Sequence, residues 1–294
     1  MPSFDNKKQL RFVITLGSDN PAFDDKGSDQ IILQGYRATA ACENAGWVQM
    51  GELRAEIFGM SQSDMNSVTS YPMRIGTALQ NKIVVFAIDG QQESVVFAGN
   101  MVKAWPDYSR MPDVCLRIQA QAAYSDALKT VAPRSFKGGC DVADVMRQIA
   151  TSMGYVFENS GVNVKLADVY LANTNLEQAR DLAKAAGIEL NIEQNVLSIW
   201  PKGSYRNALI PLVSVDTGLV GYPSFDGTFL RFDTLYNPSF ITGGLVKVES
   251  DNIAAKGQWQ ILRMAHRLES EKPGGAWFSS VVGVALNYYV QNRK

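Results

Sequence analysis

Residues 221–227 read GYPSFDG, 228–244 TFLRFDTLYNPSFITGG, 245–250 LVKVES and, after a short loop, 257–282 GQWQILRMAHRLESEKPGGAWFSSVV. Short alternating runs are cut by clusters of Gly, Pro, Asn and Asp, the pattern of antiparallel strands joined by tight turns. The punctuation predicts turns at Gly221-Tyr222-Pro223, Leu235-Tyr236-Asn237-Pro238 and Pro273-Gly274-Gly275, and it places Gly243-Gly244 ahead of a Val-rich strand ending at Ser250. The stretch is all β. It groups no nucleophile with a base and an oxyanion donor, so its residues specify a shape rather than a reaction.

Working back from this stretch, the same texture fills the first third of the chain. Leu10 to Leu16 is an apolar run, a polar loop covers Ser18 to Asp29, and Ile31 to Ala41 resumes an extended segment. Trp47 to Met60 reads as a strand with Gly51 as a bulge and Gly59 at its end, followed by a turn or short helix over 61–70. Lys82 to Ile88 and Ser94 to Val102 flank Asp89-Gly90, a hairpin signal, and Asp113 to Gln121 closes a series spaced as in a barrel or sandwich.

Near Tyr124 the period changes. Asp141 can cap a helix whose apolar positions Val142, Val145, Met146, Ile149, Ala150 and Met153 share one face, with Gly154 as its C′ residue. Thr174 opens a second helix with Glu177 completing a capping box, an inner stripe of Leu176, Ala179, Leu182, Ala183 and Ala186, and a stop at Gly187. Ile188 to Ile192 and Val196 to Trp200 then make a hairpin about a Glu193-Gln194-Asn195 turn. The fold class is mainly β with an α+β insert: an N-terminal β-barrel over 1–124, a small α/β lobe over 125–204 and a C-terminal β-barrel over 205–294.

The ordered set from the Gly-Tyr-Pro turn, through the Leu-Tyr-Asn-Pro turn, the Gly-Gly before its Val-rich strand and the strand carrying His266, to Pro-Gly-Gly and the aromatic strand from Trp277 resembles the C-terminal barrel of the baseplate hub proteins of contractile-tailed phages. These are related to late control protein D and to the hub part of type VI secretion spike proteins. The resemblance covers most of the chain. It implies two similar antiparallel barrels flanking the insert, and a homotrimer whose six barrels adapt a sixfold tail tube to a threefold spike around a DNA channel. Such a ring repeats one head-to-tail interface until it closes, and open strand edges offer the means. The isolated protein is expected to be a trimer or to associate. Implied partners are the tail tube protein, a spike or tail-tip protein, the tape measure protein and other baseplate proteins, with DNA passing through without specific binding. The implied location is the virion tail baseplate, and the host cytoplasm during assembly. Two other readings stand beside it: a distal tail or tail-tip ring protein of a flexible-tailed phage contacting tape measure and fibres, and a tail-tip glycan-binding or cell-wall hydrolase module.

Composition narrows the classes further. Across 294 residues, 46% are hydrophobic and 19% charged, as in a globular protein with a substantial core. No charged leader precedes an apolar run and no 18 consecutive residues are apolar, so neither export nor a membrane span is expected. Lys and Arg total 28 against 29 Asp and Glu, a net charge of −1. That balance argues against a sequence-independent nucleic-acid binder, which needs a basic stripe to neutralise phosphates, and predicts a bore wall of mixed or mildly acidic charge.

No catalytic, cofactor-binding or metal-ligating residue is assigned. His266 reads as a packed histidine on a face shared with Leu262, Met264 and Leu268, with Arg263 and Arg267 opposite. Gly138-Gly139 lacks the Lys-Ser or Lys-Thr of a phosphate loop. Asp19, Asp24, Asp25 and Asp29 depart from a calcium-loop spacing. Asp226 with Asp233, or Glu269 with Glu271, could supply the two carboxylates of glycan cleavage, but such pairs are common in solvated turns. Cys42, Cys115 and Cys140 read as buried thiols without a C-x-x-C spacing, and Trp47, Trp105, Trp200, Trp259 and Trp277 as core or interface anchors.

Overall fold

The computed structural model describes residues 7–17, 27–44, 46, 50–69 and 81–286. Trp47 and the acidic residues Asp19, Asp24 and Asp25 lie outside the described residues. Strands β1 (Lys8–Thr15), β2 (Gln30–Gln34), β3 (Ala38–Asn44), β4 (Glu52–Phe58), β5 (Lys82–Asp89), β6 (Gln92–Asp107) and β7 (Cys115–Gln121) form the first lobe. Inward positions alternate strictly on β1, where Leu10, Phe12 and Ile14 are fully buried, and on β5 with Ile83 and Val85. Each such side chain contributes about 1.5–3 kcal/mol by leaving water. Helix α1 (Gln62–Val68), capped by Ser61, turns Met65 and Val68 into this core.

The Asp89-Gly90 hairpin forms as expected, with Gly90 in the left-handed region at φ 62°. Elsewhere the first lobe departs from its sequence reading. The expected single segment from Ile31 to Ala41 is two strands, because the chain bends at Gly35-Tyr36, where Gly35 takes φ 79°. Gly51 does not bulge a strand; it precedes β4, and its carbonyl accepts from the Ala122 amide.

The α/β lobe holds α2 (Tyr124–Leu128), β8 (Arg134–Asp141), α3 (Val142–Met153), β9 (Val156–Asn159), β10 (Lys165–Leu171), α4 (Asn175–Ala186), β11 (Ile188–Glu193) and β12 (Val196–Pro201). Both long helices carry the predicted N-cap residues and C′ glycines, but of the expected Thr174–Glu177 capping box only the Thr174 half is present. Asp141 accepts from the Ala143 amide, Thr174 from the Glu177 amide, and Gly154 and Gly187 close the C-termini at φ 75° and 63°. Their inner stripes meet over β11-β12-β9, in which β9 runs parallel to β12, and a two-stranded β10-β8 sheet. Sequence reasoning missed β8 and β10, since Gly138-Gly139 and the bulge at Asp168 (φ 51°) erase their alternation.

In the last lobe lie β13 (Leu212–Val213), β14 (Leu219–Asp226), β15 (Phe229–Leu235), β16 (Leu245–Val248), β17 (Gly257–Ser270) and β18 (Trp277–Ala285). Gly221-Tyr222-Pro223, expected as a turn, is a bulge inside β14: pairing with β15 breaks between Val220 and Ser224, and Gly221 takes φ 69°. The Asn237 and Pro-Gly-Gly turns are present, closed by Ser239 N–H donating to Asn237 Oδ1 (2.9 Å) and Gly275 N–H to the Lys272 carbonyl (3.0 Å).

One strand joins the two β lobes. The first half of β17 pairs with β16 and its second half, Met264 to Ser270, pairs with β3. A single 13-stranded sheet results, its main path running β14-β15-β18-β17-β3-β4-β7-β6-β5-β1-β2. At 14 residues β17 extends roughly 45 Å, long enough to seal two cores: Ile261 and Met264 pack in the last lobe and Leu268 in the first, while β18 divides Val281 and Trp277 the same way.

Candidate functional site

Three features of this architecture could do work: a charged junction between lobes, the outward face of the shared sheet, and its two open ends. At the junction, Arg206 is 4% exposed and Glu193 5%. The Arg206 guanidinium donates to Glu158 through Nε (3.0 Å) and Nη2 (2.7 Å), and through Nη1 to Glu193 and to the Thr242 carbonyl (3.2 Å). Asn44 Nδ2 of β3 donates to the other Glu193 oxygen at 3.1 Å. Residues from the first lobe, the α/β lobe and the last lobe therefore share one charge cluster. Hydrogen bonds from Arg206 hold the Glu158 carboxyl below the usual range; burial pushes Glu193 upward, and Arg206 opposes that push. Next to it, Trp200 is buried against Gly243, whose amide donates to the Ile261 carbonyl and whose carbonyl accepts from the Arg206 amide. Glu193 is thus not a turn residue: the turn is Gln194-Asn195, both at positive φ, and Gln194 Nε2 reaches the Val95 carbonyl of β6 at 2.8 Å.

Ladder register aligns the outward side chains of the shared sheet into rows. One row runs Phe278, Arg267, Ala41, Arg54, Gln119 and Lys103, from β18 to β6. Its neighbour runs Asp233, Ser280, Ala265, Glu43, Glu52 and Gln121. At the ends of the sheet path, β14 and β2 each have one ladder partner. β14 exposes Tyr222 (76%) with Val220 and Phe225, and Asn252 Nδ2 donates to the Pro223 carbonyl, bringing exposed Ile253 beside it; β2 exposes Ile32. A bulge with a proline on an edge strand limits indiscriminate pairing.

The residues singled out by sequence fall into ordinary places. His266 is buried, its Nδ1 2.8 Å from Ser279 Oγ and its ring edge-on to Tyr236 at 5.1 Å. Met264 and Leu268 share its buried face, but Leu262 does not keep the alternation, because β17 bulges between Ile261 and Arg263. Burial pushes the imidazole down to about 4. An unfolded histidine titrates near ~6.5, so the unfolded chain binds the extra proton first, and stability falls as pH drops from about 6.5 towards 4. Equilibrium urea unfolding across that window should show the slope in the parent chain and a flatter profile in His266→Gln; parallel profiles would refute it.

Gly138-Gly139 sits within β8, where the Gly138 amide donates to Asp168 Oδ1 at 3.0 Å, so it is no loop. Asp226 is paired with Arg231, and Asp233 accepts from Ser280 Oγ. Glu269 accepts from Lys272 Nζ and the Ala276 amide, both at 2.9 Å, and Glu271 from Lys7 at 2.7 Å. Each of these carboxylates is tied to a structural partner. Cys42 and Cys115 are buried but Cys140, on the thinly covered β8, is only half-buried. Trp105 lies half-exposed beneath Lys103 Nζ (4.6 Å to the ring centroid), while Trp200, Trp259 and Trp277 are buried. Among the described residues no cluster of three His, Cys, Asp or Glu could hold a metal, and no helix is long and apolar enough to cross a membrane.

A family model described as baseplate hub gp41 matches residues 12–274. The chain belongs to this family. Membership places it among the structural proteins of the phage tail baseplate. No curated protein matches by sequence. Among solved structures, this hub-family chain is similar to a tail protein from Neisseria meningitidis MC58 at 9% identity, covering 95% of this chain and 98% of that one with a TM-score of 0.63. It is similar to the 43 kDa tail protein of prophage MuSo2 from Shewanella oneidensis at 11% identity, 95% and 99% coverage and a TM-score of 0.61. A type VI secretion component from E. coli, described as similar in structure to T4 bacteriophage tail proteins, aligns at 9% identity over 85% of this chain and 73% of that one, with a TM-score of 0.58. At these identities the likeness is one of fold: mostly β, around a large antiparallel sheet. The residues of the Arg206 junction escaped sequence reasoning altogether, since partners 13 to 48 positions apart leave no periodic or spacing signal.

Proposed function

We propose that this hub-family chain closes as a trimer at the tip of the tail, where its two β lobes, taken three times, offer six similar positions to the tail tube and a threefold face to a spike or tail-tip protein. The three-part division at 1–124, 125–204 and 205–294 belongs to this reading, as do a non-enzymatic role, contacts with the tape measure and other baseplate proteins, assembly in the host cytoplasm and a bore through which DNA passes. The observation that carries it is the β3–β17 pairing, which lays the two lobes side by side in one sheet whose ends, β14 and β2, are unlike. A sheet with unlike open ends joins its copies head to tail, and head-to-tail contacts either close into a ring or run on as a filament.

A reconstruction of the assembled tail tip tests it, with three copies per tip and β14 of each copy beside β2 of the next as the expected result. Six copies, one copy, or edges that do not meet would overturn it. The Ile32→Glu/Tyr222→Glu double variant alters only exposed edge positions and should fold with an unchanged circular dichroism spectrum. It should enter tail tips at least about tenfold less efficiently, since charges on a strand edge block its pairing.

A further inference from the structure

The outward face of the shared sheet contains a hollow of about 660 Å3 in which cations outnumber carboxylates. Arg37, Arg54, Arg110, Arg117, Arg267 and Lys272 line it, against Glu56, Asp113 and Glu269. This concentration of positive charge occurs in a chain whose net charge is −1. Several of the cations are already engaged: Arg37 with Asp113 at 3.0 Å, Arg117 with Asp107 at 2.7 Å and Glu56 at 3.3 Å, and Lys272 with Glu269 at 2.9 Å. Three guanidiniums remain poorly matched. Arg54 is 75% exposed and 3.9 Å from Glu52, Arg267 is equally exposed and 3.5 Å from a Glu269 carboxylate already held by Lys272, and Arg110 makes no ion pair within 4 Å among the described residues, acting on Asp107 only at longer range.

We propose that these three arginines contact the phosphate backbone of duplex DNA as it travels along the sheet face, an inference that rests on the ring and bore proposed above. Guanidinium groups match phosphate oxygens in geometry and stay charged at any working pH. In the register Ala41 stands between Arg267 and Arg54, Gln119 follows Arg54 and Phe278 flanks Arg267; at 75% exposure each, the two guanidiniums stand far more open than Phe278 at 38%. Glu43 and Glu52 stand in the adjoining row, two residues along each strand and so about 7 Å away. Glu43 is already paired with Arg263, so the opposing acidic band beside the arginines rests chiefly on Glu52. Phosphates attracted by one band are repelled by the next, so the contact is weak, independent of base sequence and easily broken by salt.

Fluorescence anisotropy of a labelled 30-bp duplex titrated with the purified full chain tests this. Three phosphate contacts give a slope of log affinity against log salt near −2.7, a loss of roughly forty-fold between 50 and 200 mM NaCl. The Arg54→Ser/Arg110→Ser/Arg267→Ser variant should lose that slope while keeping the parent melting temperature, and Glu52→Gln should bind more tightly than the parent. No salt-dependent binding by the parent chain, or an undiminished slope in the triple variant, would overturn the proposal. So would equal binding of a polyglutamate peptide, which would make an acidic protein the partner. Three copies at the tail tip combined with no DNA binding would refute the phosphate contact and leave the ring intact.

Discussion

Arg206→Met is expected to destabilise the fold by about 3–5 kcal/mol, because it strips the counter-charge from a carboxylate that cannot reach water. Glu193 is 5% exposed, and Asn44 Nδ2 and the Thr242 backbone amide supply only neutral donors in compensation. The methionine fills similar volume, so the loss is electrostatic rather than a cavity. In the parent chain Arg206 opposes the upward push of burial on Glu193. Without it the carboxyl titrates higher still, folded protein takes up a proton that unfolded protein releases, and stability is gained below the unfolded value of about 4.3 and lost as pH rises through the folded one. The penalty should therefore shrink as pH is lowered, and Arg206→Met/Glu193→Gln should recover part of it at neutral pH. Urea unfolding at several pH values measures both; a penalty independent of pH, or a double variant no better than the single, would refute the account. Cleavage by a protease within 203–211 should accelerate in Arg206→Met, since the Arg206 clamp on β9 and β11 tethers that segment to the α/β lobe and its removal leaves, beside it, the hydrogen bond from the Asn207 amide to Ser160 Oγ (3.0 Å).

Gly243→Ala is expected to cost about 2–5 kcal/mol. A β-carbon there would lie 2.5 Å from Trp200 Cζ2 and 2.7 Å from Cη2, and the backbone sits at φ 83°, where L-residues are strained by about 1–2 kcal/mol. Overpacking against a buried ring adds about 1–3 kcal/mol more. The indole cannot retreat easily, being 1% exposed within the junction. Trp200→Leu removes the ring atoms that collide, so in that background Gly243→Ala should cost only the backbone strain. Thermal melts of the four members of this cycle measure the coupling; additive costs would show that the close approach is not the source of the loss.

Much of this molecule is written locally. Asp89-Gly90, Asp141 with Gly154, and Thr174 with Gly187 act through hydrogen bonds and backbone angles within a few residues, so the hairpin and both long helices can be read off the chain and appear where expected. Alternating burial on β1, β4 and β5 is equally legible, because a strand with one wet face needs period two. Glycine is less informative. Gly221-Tyr222-Pro223 has the composition of a turn but is a bulge, since positive φ serves both equally and only the continued pairing of Ser224 to Asp226 with β15 decides between them.

Residue pattern alone specifies a mainly β chain with a capped two-helix insert and, through the order of its turns, the baseplate hub likeness. The exchange of β16 for β3 halfway along β17, the Arg206 bridge between Glu158 and Glu193, and the gathering of arginines from separate strands on one face emerge once the chain is folded. The physical reason is range: caps, turns and side-chain period act between near neighbours, whereas ladder partners and ion pairs are chosen by where the folded chain brings distant segments, which no local pattern records.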